Sequence, residues 1–498
     1  MAILNFVTAV KYQNWEQARR TLYSEFEREV RKYEPQLLLT TLARMSADTD
    51  EFSGMKQEWT QRPPWAVSGI ARQSILSSNR SDGSPITSKG MARMLNLYSK
   101  IEVETREQFD IHQFLVRSAF EQFPYQLSAK EDLSRVLAVL IDTPVHFQGM
   151  KTESDFDELL GAPLSDLASS TFVLYSLARS NRGTITRAFI EQLASEVGAK
   201  LPSAESMLAT LDRLSATIEE ARADGLSVEQ FKGGYQKYSY NPLTKTPFIR
   251  LDEETYIAPQ TFFILRSCSL ESIYYLGMGK WPKDFGWDLG HRIEAYTGRQ
   301  LNHAGDLEVH PEVEWKGNKS IDWFVITPSA TILVECKSAR ATMDTRVGAA
   351  TTAKSMSDKL RKGFDQIDKT LKEIESQNPA FSHIPRDKPM LALVVTAEPL
   401  YNANFAEVRA HLPEPKVPIL TVSLRDLEGL LTRPTDSLPD ALLKIATDPA
   451  LSTWDVSGAM RTLLGDEPGD RHNGLLDEAY QRHMVPLAPG AGEQPTIS

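Results

Sequence analysis

Residues 319–337 read KSIDWFVITPSATILVECK, and three of them, Asp322, Glu335 and Lys337, are of types that do chemistry together. Two runs of strand-favouring residues flank Pro328 and Ser329, the composition of a hairpin closed by a two-residue loop. With that loop, Thr327 faces Ala330, and the same register carried along the ladder sets Asp322 opposite Glu335, with Cβ atoms roughly 4.5 to 5.5 Å apart. Alternation along the second strand puts Lys337 on the face of Glu335 and turns Val334 and Cys336 the other way. Two carboxylates at such spacing repel, and neither stays ionised without compensation. A divalent cation relieves this: Mg²⁺ takes one or two carboxylates and completes its shell with water and substrate phosphate. Held there, it would lower the pKa of a water and neutralise charge growing on an attacked phosphate. Lys337 would orient or help deprotonate that water, or stabilise the charge, since a lysine pKa moves readily on partial desolvation.

The elements that must position these groups are legible around them. A helix is expected over DLGHRIEAYTGRQL, and strands over LEVHPEVEW, SIDWFVI and TILVECK. A long helix follows from about 350 to 377, then the strand LALVVT, a further strand VPILTV and the helix SLRDLEGLL.

Asp, a turn, and an apolar run ending in Glu-x-Lys, set in this αβββαβ order, resembles the PD-(D/E)xK superfamily of restriction-endonuclease-like nucleases. The resemblance covers about 140 residues, near 285 to 425, and implies a mixed sheet flanked by helices. It also implies that Asp322 and Glu335 hold Mg²⁺ or Mn²⁺, that Lys337 is the catalytic lysine, and that Glu294 on the first helix completes the metal shell. Gln366 matches a glutamine that some members place near the site. Ile321 stands where the family name has Pro, and Thr370 stands four residues after Gln366 where the RecB-like subgroup has tyrosine. The implied activity is phosphodiester hydrolysis, of DNA first, and the superfamily's usual settings are restriction, phage defence and DNA repair.

From Lys337 to Lys372 there are nine basic residues against four acidic ones, in a chain whose net charge is −11. Arg340, Arg346, Lys354, Lys359, Arg361 and Lys362 are the expected contacts to a phosphate backbone, supplying affinity and little sequence information. Glu312 and Glu314, on the preceding strand, are within reach of the metal but read first as exposed strand positions; His291 and His303 read as structural or surface residues, and Cys336 as a small core residue. Arg106 and His112 form an R-x5-H pattern similar to that of HEPN ribonucleases, with nothing around it in support.

A chain of 498 residues exceeds one ordinary core, and roughly 100 to 200 residues per domain gives two to four domains. Residues 1–240 read as an all-helical region suited to sensing or to binding a partner, from helical spacing in RTLYSEFEREVRKYEPQLLLTTLARM and DLSRVLAVLID. A β-hairpin connector is expected over 241–280, the nuclease-like core over 281–433, and C-terminal helices with a disordered tail over 434–498. Residues 77–89 read as a polar loop. The acidic balance, with a pI near 5.5, excludes a protein that coats nucleic acid over its whole surface. Two cysteines, no basic leader and no apolar stretch of membrane length point to a cytoplasmic chain without disulfides or anchor. Nucleic acid is the expected partner, with room for a protein partner at the helical half or a second copy of the chain. Two alternatives share this architecture: a catalytically silent module that binds nucleic acid or a protein, and a regulator that acts through its helical half.

Overall fold

The computed structural model describes residues 20–49, 61–77, 85–101, 111–126, 128–232, 235–305, 307–347, 351–435, 437–465 and 472–484. Most of the loop expected at 77–89, Arg106, and the tail from Val485 onward lie outside them. The chain is mixed α/β, with a helical N-terminal half and sheets flanked by helices.

The N-terminal half is not wholly helical. Strands β1 (Thr184–Thr186) and β2 (Ser215–Ala216) pair with the two edges of a hairpin, β3 (Phe248–Arg250) and β4 (Thr255–Ile257), in the order β1-β4-β3-β2. Segments of two or three residues have too little alternation to be read, which is why a helical reading absorbed them. The hairpin turns at Asp252, whose Oδ1 accepts from the backbone N–H of Glu254 (2.9 Å) and Thr255 (2.8 Å). The expected strand run through TFFIL is instead a short buried helix, Phe262–Arg266.

The main sheet contains β5 (Glu308–Pro311), β8 (Trp323–Ile326), β9 (Thr331–Lys337), β10 (Met390–Thr396) and β11 (Ile419–Ser423), in the order β11-β10-β9-β8-β5. A small ribbon of β6 (Glu314–Trp315) and β7 (Asn318–Lys319) sits between β5 and β8 in the chain. β9, β10 and β11 run parallel, while β8 is antiparallel to both β9 and β5. Helices α1 (Ala129–Leu140) and α2 (Leu270–Lys280) pack against α3 (Phe285–His303), and α3, α4 (Thr352–Glu375) and α5 (Leu424–Leu430) pack against the sheet.

Period-two alternation sorts the sheet's side chains between two cores. Val325, Val334, Leu393 and Val395 join a cluster with Leu289, Ile293 and Tyr296 of α3. Phe324, Leu333 and Val394 join another with Leu360, Phe364, Ile367 and Leu371 of α4. Burial on both faces is what a parallel sheet needs. The first cluster also takes in Leu133, Leu137, Phe156 and Leu174, so a continuous core crosses the boundary expected near residue 240. A separate cluster around Phe26, Leu38, Ile70, Met94 and Ile257 fills the N-terminal lobe. Among the described residues no helix is long and apolar enough to cross a membrane.

Helix α3 is seated on β8 through Gly298. A Cβ there would lie 2.1 Å from Cζ2 of Trp323, whose Nε1 donates to the Glu294 carbonyl at 3.0 Å. G298A is therefore expected to destabilise the protein by about 1–3 kcal/mol, as overpacking does. Pairing it with W323F in a double-mutant cycle should recover part of that loss; strictly additive urea midpoints would show that the two residues do not share this contact.

Candidate active site

The turn between β8 and β9 is closed by Thr327. Its N–H donates to the Ala330 carbonyl at 3.0 Å, and its hydroxyl oxygen accepts from the Ala330 N–H at 3.0 Å. The ladder then runs from Ile326 opposite Thr331 to Trp323 opposite Val334. One step further along this register brings Asp322 across from Glu335. Asp322 Oδ2 accepts from the Cys336 N–H at 2.6 Å, so the carboxylate leans across the strand end beside Glu335.

Glu335 is 3% exposed. Its Oε1 is ion-paired with the ammonium of Lys337, while its Oε2 is buried with no hydrogen-bond partner. Opposite them, α4 presents Gly363. A Cβ at that position would stand 3.4 Å from Lys337 Cε and 3.5 Å from Glu335 Cγ, so the missing side chain leaves both stems their space.

Gln366 and Thr370, one and two turns further along α4, hold the segment leading into Asp322. Gln366 Nε2 donates to the carbonyls of Lys319 and Ser320, the latter at 2.8 Å, and the Thr370 hydroxyl accepts from the Ile321 N–H at 3.1 Å. Gln366 therefore positions the backbone before Asp322. Thr370, at the place where a tyrosine was absent from the sequence pattern, does the same.

Electrostatics marks the strand end as strained by like charge. Burial first, and Asp322 second, push the Glu335 carboxyl up to about 8 despite Lys337. Burial also raises Asp322, although the Cys336 N–H and Lys337 pull the other way. Glu294 rises to about 7 through burial, Asp322 and Glu312. Burial opposes the charge on Lys337, yet Glu335 and Asp322 beside it lift its pKa above the ordinary lysine value. Glu312 belongs electrostatically to this group and is itself paired with Lys319 at 2.7 Å. Its place on the strand preceding Asp322 allows this approach in the sequence, although the exposed reading is the one the pattern favours there.

Among the described residues, no group of three or more His, Cys, Asp or Glu side chains is disposed to hold a metal ion by itself. Asp322 and Glu335 offer two carboxylates at the strand end, and Glu294 is coupled to them electrostatically. The orphaned Glu335 Oε2 and the raised carboxyls fit a hard cation, which needs only one or two carboxylates when water completes its shell.

The expected basic face divides. Lys354 and Lys362 are exposed and Lys359 is half-buried. Residues 359, 362, 363 and 366 fall on one stripe of α4, so Lys359 and Lys362 flank the position of Gly363. Arg361 is exposed but donates to the His411 carbonyl. Arg340 and Arg346 do not face a phosphate backbone. Arg340 is 7% exposed and stacks on Tyr274 at 3.8 Å, and Arg346 is ion-paired with Glu271. A buried guanidinium already paired or stacked has lost its freedom to meet solvent phosphate. His112 pairs with Glu407 at 2.8 Å, and its pattern partner Arg106 lies outside the described residues.

Comparisons of this chain with protein-family models, with curated proteins and with solved structures find no match.

A carboxyl whose folded pKa is raised binds more protons folded than unfolded, so its contribution falls as pH rises from the ordinary value of 4.5 through about 8. In chelator, E335Q should therefore gain stability over the parent progressively across that window, reaching about 1–3 kcal/mol at its alkaline end. Melting curves at several pH values check this; an E335Q protein that is less stable throughout would mean Glu335 is comfortably ionised without a cation.

Proposed function

We propose that this chain is a divalent-metal-dependent nuclease that hydrolyses phosphodiester bonds, with a restriction-endonuclease-like core and DNA as its substrate. The observation that carries the reading is the meeting of Asp322, Glu335 and Lys337 at one buried strand end, with a Glu335 oxygen left unpartnered.

Asp322 and Glu335 would hold Mg²⁺ or Mn²⁺, with Glu294 completing its shell directly or through water. The ion when bound supplies a more acidic water and positive charge against the phosphate. The rest is the work of this chain's own groups. Lys337 Nζ, held as an ammonium beside Glu335, would orient the attacking water and stabilise the negative charge developing on the phosphate. The Cys336 N–H fixes one oxygen of Asp322 and leaves the other to ligate. Gln366 and Thr370 keep residues 319–321, and with them Asp322, from shifting along the strand. Lys359 and Lys362 supply positive charge beside the site for the phosphate backbone. A role in defence against foreign DNA, with the helical half detecting the trigger, is the setting this combination favours.

The second reading, a silent module that binds nucleic acid, draws on the lack of a three-ligand group among the described residues. Incubation with plasmid, linear duplex, single strand and RNA separates the two. Cleavage is expected with Mg²⁺ or Mn²⁺, to vanish with chelator, and to fall about 10² to 10⁴-fold in K337A, D322N and E335Q while substrate binding persists. Cleavage that survives chelation or these substitutions would refute the site; binding without cleavage in every arm would favour the silent module.

A further inference from the structure

Two neighbouring parallel strands end at one crevice. Glu398 follows β10 and Arg425 follows β11, and crevices beyond the carboxyl ends of parallel strands are where open α/β sheets take ligands. The crevice encloses a cavity of about 40 Å³ whose walls include Asp132, Arg135, Arg266, Ser269, Glu398 and Arg425. It lies away from the acidic site, since Asp322, Glu335 and Lys337 face α4 and these residues come from α1, α2 and the strand ends.

We infer that this crevice binds a small oxyanion of the phosphate class, as inorganic phosphate or as the phosphoryl group of a nucleotide. In the ion pairs around it, four guanidiniums share three carboxylates. Arg135 is held by Glu428 (2.8 Å) and Asp132 (2.5 Å), Arg425 also meets Asp132, and Arg266 (2.5 Å) and Arg346 share Glu271. A donor is left over as well: Arg425 Nε, in the cavity wall, is buried without a hydrogen-bond partner. Unpaired buried donors are rare and call for an acceptor, and guanidinium is the group best matched to phosphate oxygens. Burial, then Glu271 nearby, favours the neutral form of Glu398, which deepens the shortage of negative charge. Helix α2 adds its own preference, because its first turn, from the capping residue Ser269, lines the cavity with the end that attracts anions. The wall is continuous with the strand bearing Lys337, through the Ala397 N–H that donates to the Lys337 carbonyl at 3.1 Å. An anion seated there braces the end of β9 from the face opposite the carboxylates.

The test uses the full chain in thermal melting and calorimetric titration. Inorganic phosphate should raise the melting temperature beyond sodium chloride at equal ionic strength. Adenosine monophosphate in place of phosphate, with adenosine as its control, tells a nucleotide phosphoryl group from free phosphate. R425Q should weaken the phosphate Kd about tenfold, the loss of one charge-assisted hydrogen bond, while Asp132 keeps Arg135. E398Q, which removes no ion pair, should leave phosphate binding intact or tighten it. K337A should bind phosphate as the parent does, so this result stands apart from the fate of the nuclease reading. No phosphate-specific shift, an R425Q protein that folds and binds unchanged, or weaker binding in E398Q would each overturn the inference.

Discussion

Two acidic side chains brought together across one strand pair, where water is largely excluded, set the terms for everything around them. Burial is the first reason that neither carboxyl ionises easily there, and for Glu335 the charge of Asp322 is the second. Each neighbouring feature answers this difficulty. The Cys336 N–H and the Lys337 ammonium are the donors at hand, and they satisfy Asp322 Oδ2 and Glu335 Oε1. Gly363 keeps α4 from filling the space, and Gln366 and Thr370 stop the backbone from sliding out of reach. One oxygen stays unanswered, and a structural salt bridge would have no reason to leave it so.

How much of this was readable in advance depends on the range of the interactions. The hairpin is local: Pro328 and Ser329 mark the turn, period two fixes the faces, and the register inferred from them is the register of the structure. Helix α4, with its strong apolar stripe, was legible to within two residues at each end. What the chain hid is nonlocal or very short. Strands β1 and β2 exist because a hairpin some 30 to 70 residues later offers them an edge, not because TIT or SA prefers to be extended. The continuity of the core past residue 240 was equally invisible, since sequence patterning tells which face is apolar but not which element covers it.

The basic residues between 337 and 372 show the same limit in electrostatic form. Composition counts charges and cannot say which are already neutralised. Arginines nearest the strand end are drawn inward, Arg340 onto the ring of Tyr274 and Arg346 onto Glu271, while the lysines of α4 stay at the surface. Guanidinium is weakly hydrated, planar and able to bind two partners at once, so burying it is less costly than burying a compact ammonium. A run that reads as one basic face thus becomes two structures with different tasks.

Those two structures meet at β9. Its residues Glu335 and Lys337 look toward α4 and the acidic site, whereas its last carbonyl, that of Lys337, accepts from the N–H of Ala397 in the crevice wall. Helix α1 and the residues at the start of α2 line that crevice, through Asp132 and Arg135 on one side and Arg266 and Glu271 on the other. One strand end therefore carries the two carboxylates and, through a single backbone hydrogen bond from Ala397 to the Lys337 carbonyl, borders the crevice.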